Sequence, residues 1–246
     1  MTLIEIKDLT HRFPNGAMGL DHIDLRVSAG EFVVICGPNG SGKTTLLRHL
    51  NGLLMPESGS VHISGLEVSK HVAAVRQMVG MVFQDADSQI VGETVFEDVA
   101  FGPENLFLTH DEIQKRVAHA LSAVGMDHLA DQRPYLLSAG EKRRLAIAGV
   151  LAMIPRVIVF DEPFSNLDYP GTQQVLGQIL SLHKAGHTIV VATHDLPKVY
   201  AHADRMLLMR EGRIVLDGEP DQLLSDLGAF GVEKPCPCRM APEAGP

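Results

Sequence analysis

Leu3–Leu9 and Leu20–Val27 place apolar and polar residues in alternation. That is the pattern of strands with one face in a core and one in water, paired antiparallel. Three later segments are apolar throughout: Phe32–Cys36, Val157–Phe160 and Thr188–Ala192. Continuous apolar strands separated by helices predict a parallel sheet covered on both faces. Helical spacing fills the intervals. Thr45–Leu50 follows the first buried strand. Asp111–Val124 carries Ile113, Val117, Leu121 and Val124 along one side, with Thr109 and Glu112 as a capping box ahead of them. Pro170 and Gly186 bracket a helix with Val175, Leu176, Ile179 and Leu180 on one side. Leu207, Met209, Ile214 and Leu216 flank Glu211-Gly212 as a late hairpin.

Between about 85 and 155 no continuous strand reads. The prediction is an α/β core, about 1–84 and 156–220, with a mostly helical insertion, all within one domain over 1–230. The stretch 231–246 holds four prolines and little periodicity, which predicts an irregular tail.

Composition narrows the function. A chain of 246 residues, 45% hydrophobic and 21% charged, can bury a core without disulfides. Thirty acids against 21 bases leave a formal charge of −9, a poor match to nucleic-acid partners. The charge-free apolar run Leu145–Ile154 falls short of the roughly 20 residues that span a bilayer. Acids within the first eight residues fit neither a secretory signal nor a transit peptide. Three cysteines make no disulfide framework. The expectation is a cytoplasmic protein that works at a membrane only as a peripheral partner.

Chemistry enters at Gly37-Pro38-Asn39-Gly40-Ser41-Gly42-Lys43-Thr44, which matches G-x-x-x-x-G-K-[ST] between an apolar strand and a helix. Glycines let the backbone turn several N–H groups onto phosphate oxygens, and the helix N-terminus adds its positive end. Lys43 can reach the β- and γ-phosphates and Thr44 can put its hydroxyl on Mg²⁺. A metal-side carboxylate follows at the end of Val157-Ile158-Val159-Phe160-Asp161-Glu162. Ligands of open α/β sheets bind at that strand edge. Asp161 suits Mg²⁺, and Glu162 suits a base that orients or deprotonates the attacking water. The motif predicts a P-loop nucleoside triphosphatase that uses Mg²⁺.

Leu137-Ser138-Ala139-Gly140-Glu141 resembles the signature of ATP-binding-cassette (ABC) ATPases, and it precedes Asp161-Glu162 at that family's interval. Gln84, at the end of Val82-Phe83-Gln84, resembles the family's Q-loop glutamine, close to both metal and water. Ser165-Asn166-Leu167-Asp168 resembles its D-loop, and His194 in Ala192-Thr193-His194-Asp195 its switch histidine. Phe13 stands where an aromatic residue stacks on adenine. The resemblance covers roughly residues 3–220. It implies a RecA-like core with an N-terminal antiparallel β subdomain and an inserted α-helical signature subdomain. It also implies two cassettes packed head to tail, so that Ser138 and Gly140 of one close over ATP held by Lys43, Thr44 and Thr45 of the other. Glu162, His194 and Gln84 are the implied catalytic residues, and Thr44, Gln84 and Asp161 the implied Mg²⁺ side.

Several of these residues carry a plainer reading as well. Ser138 with Glu141 makes a capping box that opens a helix toward Met153. Asp168 suits a helix N-cap before Pro170, and Phe13 suits packing against the sheet. His194 suits an ordinary hydrogen-bonded surface site. Ala139 departs from the family's glycine, and its Cβ could crowd the γ-phosphate or forbid a positive φ.

Gln89-Ile90-Val91 and Asp98-Val99-Ala100-Phe101-Gly102-Pro103-Glu104-Asn105-Leu106 look like the ATPases of energy-coupling-factor importers, as does Lys142–Gly149. That resemblance implies integral membrane coupling and substrate-binding partners, docked near Gln84–Leu106, and cobalt or nickel ions or vitamins such as biotin as cargo. A single intact cassette type suits a homodimer of the metal-importing group. The run Val91, Val95, Phe96, Val99 and Phe101 reads as an exposed apolar docking patch, and Phe101–Leu106 alternatively as a Gly-Pro turn ending a helix capped by Asn105. A soluble ABC ATPase of translation or DNA repair is the rival class. One cassette, no heptads and an acidic charge argue against it. Cys236 and Cys238 supply two thiolates where a closed zinc site needs four ligands, so they read as reduced tail thiols. Cys36, on a buried strand, reads as a small core residue.

Overall fold

β1 (Thr2–Arg12) and β2 (Met18–Ser28) pair antiparallel, and β4 (Ser58–Ile63) pairs antiparallel with the other edge of β1. β5 (Leu66–Glu67) closes this sheet, whose order is β2-β1-β4-β5. The computed structural model describes residues 1–230 and Val232. The alternation of Leu3–Leu9 and Leu20–Val27 puts Ile4, Ile6, Leu20, Ile23 and Leu25 into one core.

A second sheet of six strands carries the order β10-β9-β3-β8-β7-β6. It contains β3 (Phe32–Cys36), β6 (Val79–Val82), β7 (Val157–Asp161), β8 (Thr188–Ala192), β9 (Arg205–Arg210) and β10 (Arg213–Gly218). The strands from β9 to β6 pair parallel. β9 and β10 form the expected hairpin, with Glu211 (φ 51°) and Gly212 (φ 78°) at its tip. Both dihedrals match the two-residue turn that follows strand twist.

Two cores explain why the central strands are apolar at every position. Val33, Ile35, Val157, Val159 and Val190 face the antiparallel sheet and α1 (Lys43–Leu50), with Leu46, Leu47 and Leu50. Phe32, Val34, Ile158, Phe160, Ile189 and Val191 face the helices on the opposite side. There α6 (Tyr169–Lys184) contributes Val175, Leu176 and Ile179, with Pro170 in its first turn.

The insertion contains α3 (Val95–Asn105), α4 (His110–Ala123) and α5 (Ala139–Leu151), and no strand among its residues. Thr94 with Glu97 and Ser138 with Glu141 form complete capping boxes, and Thr109 accepts from the Glu112 N–H. α5 packs on α3, α4 and α6, and its Leu145, Ala146, Ile147, Ala148 and Val150 are buried. Among the described residues no helix is long and apolar enough to cross a membrane.

One alternative falls away and one expectation needs correction. α3 runs through Gly102-Pro103 to Asn105, so Phe101–Leu106 is not the Gly-Pro turn of the plainer reading. Pro103 lies in the last turns, where one lost backbone donor is tolerable, and Asn105 Nδ2 donates to Phe101 O at 2.7 Å. The expected apolar patch also divides. Val95 and Val99 are fully buried and Phe96 packs on the core, whereas Val91 and Phe101 stay more than half exposed. The helical period turns the first set inward. Strands β4, β5 and β6, α2 (Val72–Met78) and the short helix Pro220–Leu223 escaped the sequence reading. Cys236 and Cys238 lie outside the described residues.

Candidate active site

β3 delivers the chain to the phosphate loop at the carboxyl edge of the parallel sheet. Gly37 has φ 146° and Gly42, the N-cap of α1, has φ 104°. A Cβ on Gly37 would strike Met209 O on β9 and sit 2.9 Å from Ser41 Oγ. One on Gly42 would sit 2.8 Å from Gly19 O. Both glycines therefore answer to dihedral angle and to close backbone approach. Pro38, Asn39 and Gly40 form the exposed crest of the loop.

Lys43 is buried, and its Nζ donates to Gly37 O at 2.8 Å and Pro38 O at 3.2 Å. Burial holds its ammonium below its ordinary value, with the Glu162 and Asp161 carboxylates pulling the other way. Thr44 Oγ1 donates to Asp161 Oδ1 at 3.0 Å, which joins the start of α1 to the end of β7. Burial pushes the Asp161 carboxyl above its ordinary value, and the Thr44 hydrogen bond opposes that rise. Cys36 lies directly before the loop, fully buried, its thiol pushed up to about 12 by burial. It is an inert core residue, as its sequence setting predicted.

Glu162 takes a left-handed conformation, φ 48°, at the residue after β7. A non-glycine residue there is strained and needs its surroundings to hold it. Its N–H donates to Ala192 O at 2.8 Å. Its carboxylate accepts from Thr193 Oγ1 at 3.1 Å and from the His194 backbone N–H at 3.1 Å. His194 Nδ1 lies 2.9 Å from Oε2. Lys43 Nζ stands 4.0 Å from Oε1. The structure thus gathers Gly37–Thr45, Asp161, Glu162 and His194 at one strand edge.

Gln84 lies just past β6 and is exposed; among the described residues its side chain makes no hydrogen bond. Its backbone is held from the insertion. The buried Arg143 of α5 donates through Nη2 to Gln84 O at 2.6 Å and through Nη1 to Phe83 O. Phe13 occupies the connection between β1 and β2, 36% exposed. Its ring rests on Gly19, whose carbonyl abuts Gly42, so the β subdomain reaches the phosphate loop from this side.

Ser138, Gly140 and Asp168 form a separate group. Ser138 closes its capping box with Glu141, Ser138 N donating to the carboxylate at 2.8 Å and Ser138 Oγ at 2.7 Å. Asp168 caps α6 through the Gly171 N–H at 2.9 Å. A Cβ on Gly140 would come within 3.7 Å of Gly171 Cα, so the starts of α5 and α6 adjoin. None of the three hydrogen-bonds to the phosphate loop in the same chain. Ala139 opens α5 without a positive φ, so its methyl introduces no backbone strain. Sequence reasoning missed Thr193 and Arg143. The one signal for Thr193 was its place between an apolar strand and His194; Arg143, one of four consecutive charged residues, gave none.

The fold is that of a P-loop NTPase, and relatives place it further. The ABC transporter family model matches residues 20–165. The energy-coupling factor transporter ATP-binding protein EcfA of Methanocaldococcus jannaschii is 46% identical over 230 residues, 92% of this chain and 82% of that protein. The cobalt import ATP-binding protein CbiO of Rhodobacter capsulatus is 46% identical over 227 residues, 91% of this chain and 81% of that one. The solved cbiO1 of Clostridium perfringens, part of the transporter complex cbiONQ, superposes with a TM-score of 0.84 at 37% identity, covering 93% of this chain and 92% of that one. The dimeric bacterial cassette MJ0796 gives 0.79 at 28% identity, covering 89% and 99%. The chain belongs to the ABC transporter family. It is an ATPase and binds ATP.

Proposed function

We propose that this chain is the ATP-hydrolysing subunit of an energy-coupling-factor importer for cobalt or nickel ions. It works as a homodimer on the cytoplasmic face of the membrane, beneath integral membrane coupling and substrate-binding proteins. The observation that carries the chemical part is the buried Glu162 carboxylate, held by the Thr193 hydroxyl and the His194 N–H, with His194 Nδ1 at 2.9 Å and Lys43 Nζ at 4.0 Å. A fixed carboxylate beside the phosphate-binding lysine suits a base that takes a proton from, or orients, the attacking water. Lys43 and the loop N–H groups carry the triphosphate charge. Phe13 offers a half-exposed face to adenine.

The residues present fit Mg²⁺. Thr44 Oγ1 and Asp161 Oδ1 are 3.0 Å apart, two hard oxygen donors of the kind that cation takes. Ser41 Oγ is buried in the loop without a partner, in keeping with a site made for a ligand. Thr44 and Asp161 would hold the ion, with Gln84 completing that side, and the ion would neutralise β- and γ-phosphate charge. His194 fixes the carboxylate of Glu162.

The separation of Ser138, Gly140 and Asp168 from the phosphate loop supports a shared site. Each ATP would lie between the loop of one chain and the α5 start of the other. The dimeric neighbour MJ0796 supports the same arrangement. The relative named for cobalt import supports the metal cargo. The relative named EcfA supports the energy-coupling-factor class without naming a cargo, and the same role in a vitamin importer is the second reading. Affinity purification of this chain from its native membranes tests the reading. Co-purifying integral membrane proteins and ATP-dependent uptake of labelled cobalt(II) or nickel(II) by the reconstituted complex are expected. Biotin uptake in place of metal would move the cargo to the vitamin class. Co-purifying ribosomes or DNA would overturn the transporter reading.

A further inference from the structure

Three rings lie in series between the phosphate-loop helix and Phe13. His49, on the last turn of α1, is 1% exposed, and His11, near the end of β1, is 9% exposed. The His11 and His49 rings meet edge to face, centroids 4.8 Å apart at 75°. The His11 and Phe13 rings do the same at 5.0 Å and 85°.

Each imidazole is fixed at its other side. His49 Nδ1 lies 2.8 Å from Thr45 O, and His11 Nδ1 lies 3.2 Å from Met55 O. A carbonyl only accepts, so Nδ1 carries the proton in both rings. The two Nε2 atoms are buried with no hydrogen-bond partner. Both rings therefore serve as buried packing surfaces, and burial depresses the basicity of His49.

Gly19 supplies the floor. A Cβ there would sit 2.8 Å from Phe13 Cε2 and 3.2 Å from His11 Cδ2. The Gly19 carbonyl in turn abuts Gly42. The ring series is thus tied to α1 twice, through Thr45 and His49 at one end and through Gly42 and Gly19 at the other. Both ties reach the residues that bracket Lys43 and Thr44.

We infer that His11 and His49 are positioning residues for the nucleobase: they hold the Phe13 ring at a fixed place relative to the phosphate loop, so that base and triphosphate are recognised as one rigid unit. This rests on the reading that Phe13 contacts adenine. Without the stack, Phe13 keeps its exposed face but loses its backing, and immobilising it becomes a cost of binding.

The test measures dissociation constants of Mg²⁺·ATP and of Mg²⁺·inorganic tripolyphosphate for wild type, Phe13→Ala, His11→Ala, His11→Phe and His49→Leu. One edge-to-face pair corresponds to about three- to tenfold in affinity. His11→Ala and His49→Leu are expected to weaken ATP by about that factor and leave tripolyphosphate unchanged. His11→Phe, which keeps a ring at that position, is expected to restore ATP binding. An unchanged ATP affinity in His11→Ala, beside a weakened Phe13→Ala, would overturn the positioning role alone. Unchanged ATP affinity in Phe13→Ala would remove the adenine reading beneath it. Equal loss of ATP and tripolyphosphate in the histidine variants would reduce the pair to structural support and overturn the inference.

Discussion

His194 Nδ1 lies 2.9 Å from Glu162 Oε2, and the two donors to that carboxylate, Thr193 Oγ1 and the His194 N–H, follow directly on β8. The Glu162 carboxylate follows one strand and is aimed by the end of its neighbour. Glu162→Gln keeps the shape and removes the basicity. Turnover should fall by roughly 10²–10⁴-fold, the usual loss for a general base, while Mg²⁺·ATP still binds. Blocked hydrolysis should leave a stable ATP-dependent dimer in gel filtration, one that wild type forms only transiently. Turnover near that of wild type would take Glu162 out of the chemistry.

Arg143 places a buried guanidinium on the carbonyls of Phe83 and Gln84. Arg143→Ala strips both acceptors of their donor, at about 1–3 kcal/mol for each buried polar group left unsatisfied. A loss of about 2 kcal/mol lowers the melting midpoint of a chain this size by roughly 4–8 °C. The same variant should lower ATPase activity, because the segment carrying Gln84 loses its tether to α5. Thermal melts and steady-state hydrolysis on one preparation check both, and an unaltered midpoint would show the tether to be idle.

Stability should fall in mild acid because of His49. Burial lowers its pKa below the ordinary 6.5, and the nearby His11 pushes the same way. The unfolded chain then binds more protons than the folded one, so stability drops as pH falls below about 6.5 and does so until the folded value is passed. His22 acts with the opposite sign, since the Asp8 carboxylate raises its pKa. Comparing wild type with His49→Leu isolates the effect. The wild-type midpoint should decline more steeply than the variant's between about pH 6.5 and 5, and parallel curves would refute the assignment.

The divided apolar run makes a paired prediction. Phe101→Glu alters a side chain that is 53% exposed, and Val99→Asp alters one that is 0% exposed. The first should leave folding and basal ATPase intact and reduce assembly with the membrane partners. The second should prevent folding, since a charge would enter the core without a counter-ion. Normal assembly and uptake in Phe101→Glu would count against docking at this face.

These contrasts also mark where the sequence could be read. The phosphate loop was legible because its turn admits glycine at 37 and 42 and almost nothing else. β3, β7 and β8 were legible because strands between two cores need apolar residues at every position. β4 was hidden because Ser58, Gly59 and Ser60 spend half the strand on small or polar residues, only Val61 and Ile63 being buried. β6 was hidden because four residues including Gly80 follow α2 without a break. The role of Arg143 was out of reach for a different reason. Its partners are backbone carbonyls 59 and 60 positions away, and a carbonyl leaves no trace in residue type.

β6 and β7 run parallel, Val79 beside Val157 and Val82 beside Phe160. The chain leaves β6 at one end of the sheet and enters β7 at the other. The signature-bearing helices are therefore one overgrown crossover, and not a lobe plugged into a single loop. Their two attachment points stand a strand length apart, about 15 Å for five residues. Excising residues 85–155 and joining the cut ends with a tight turn would force β7 to run backwards. A deletion that keeps the sheet needs a linker of a dozen residues or more, in practice one short helix. Built that way, a trimmed protein would retain the phosphate loop, Asp161 and Glu162 while lacking every atom of the Ser138 cap.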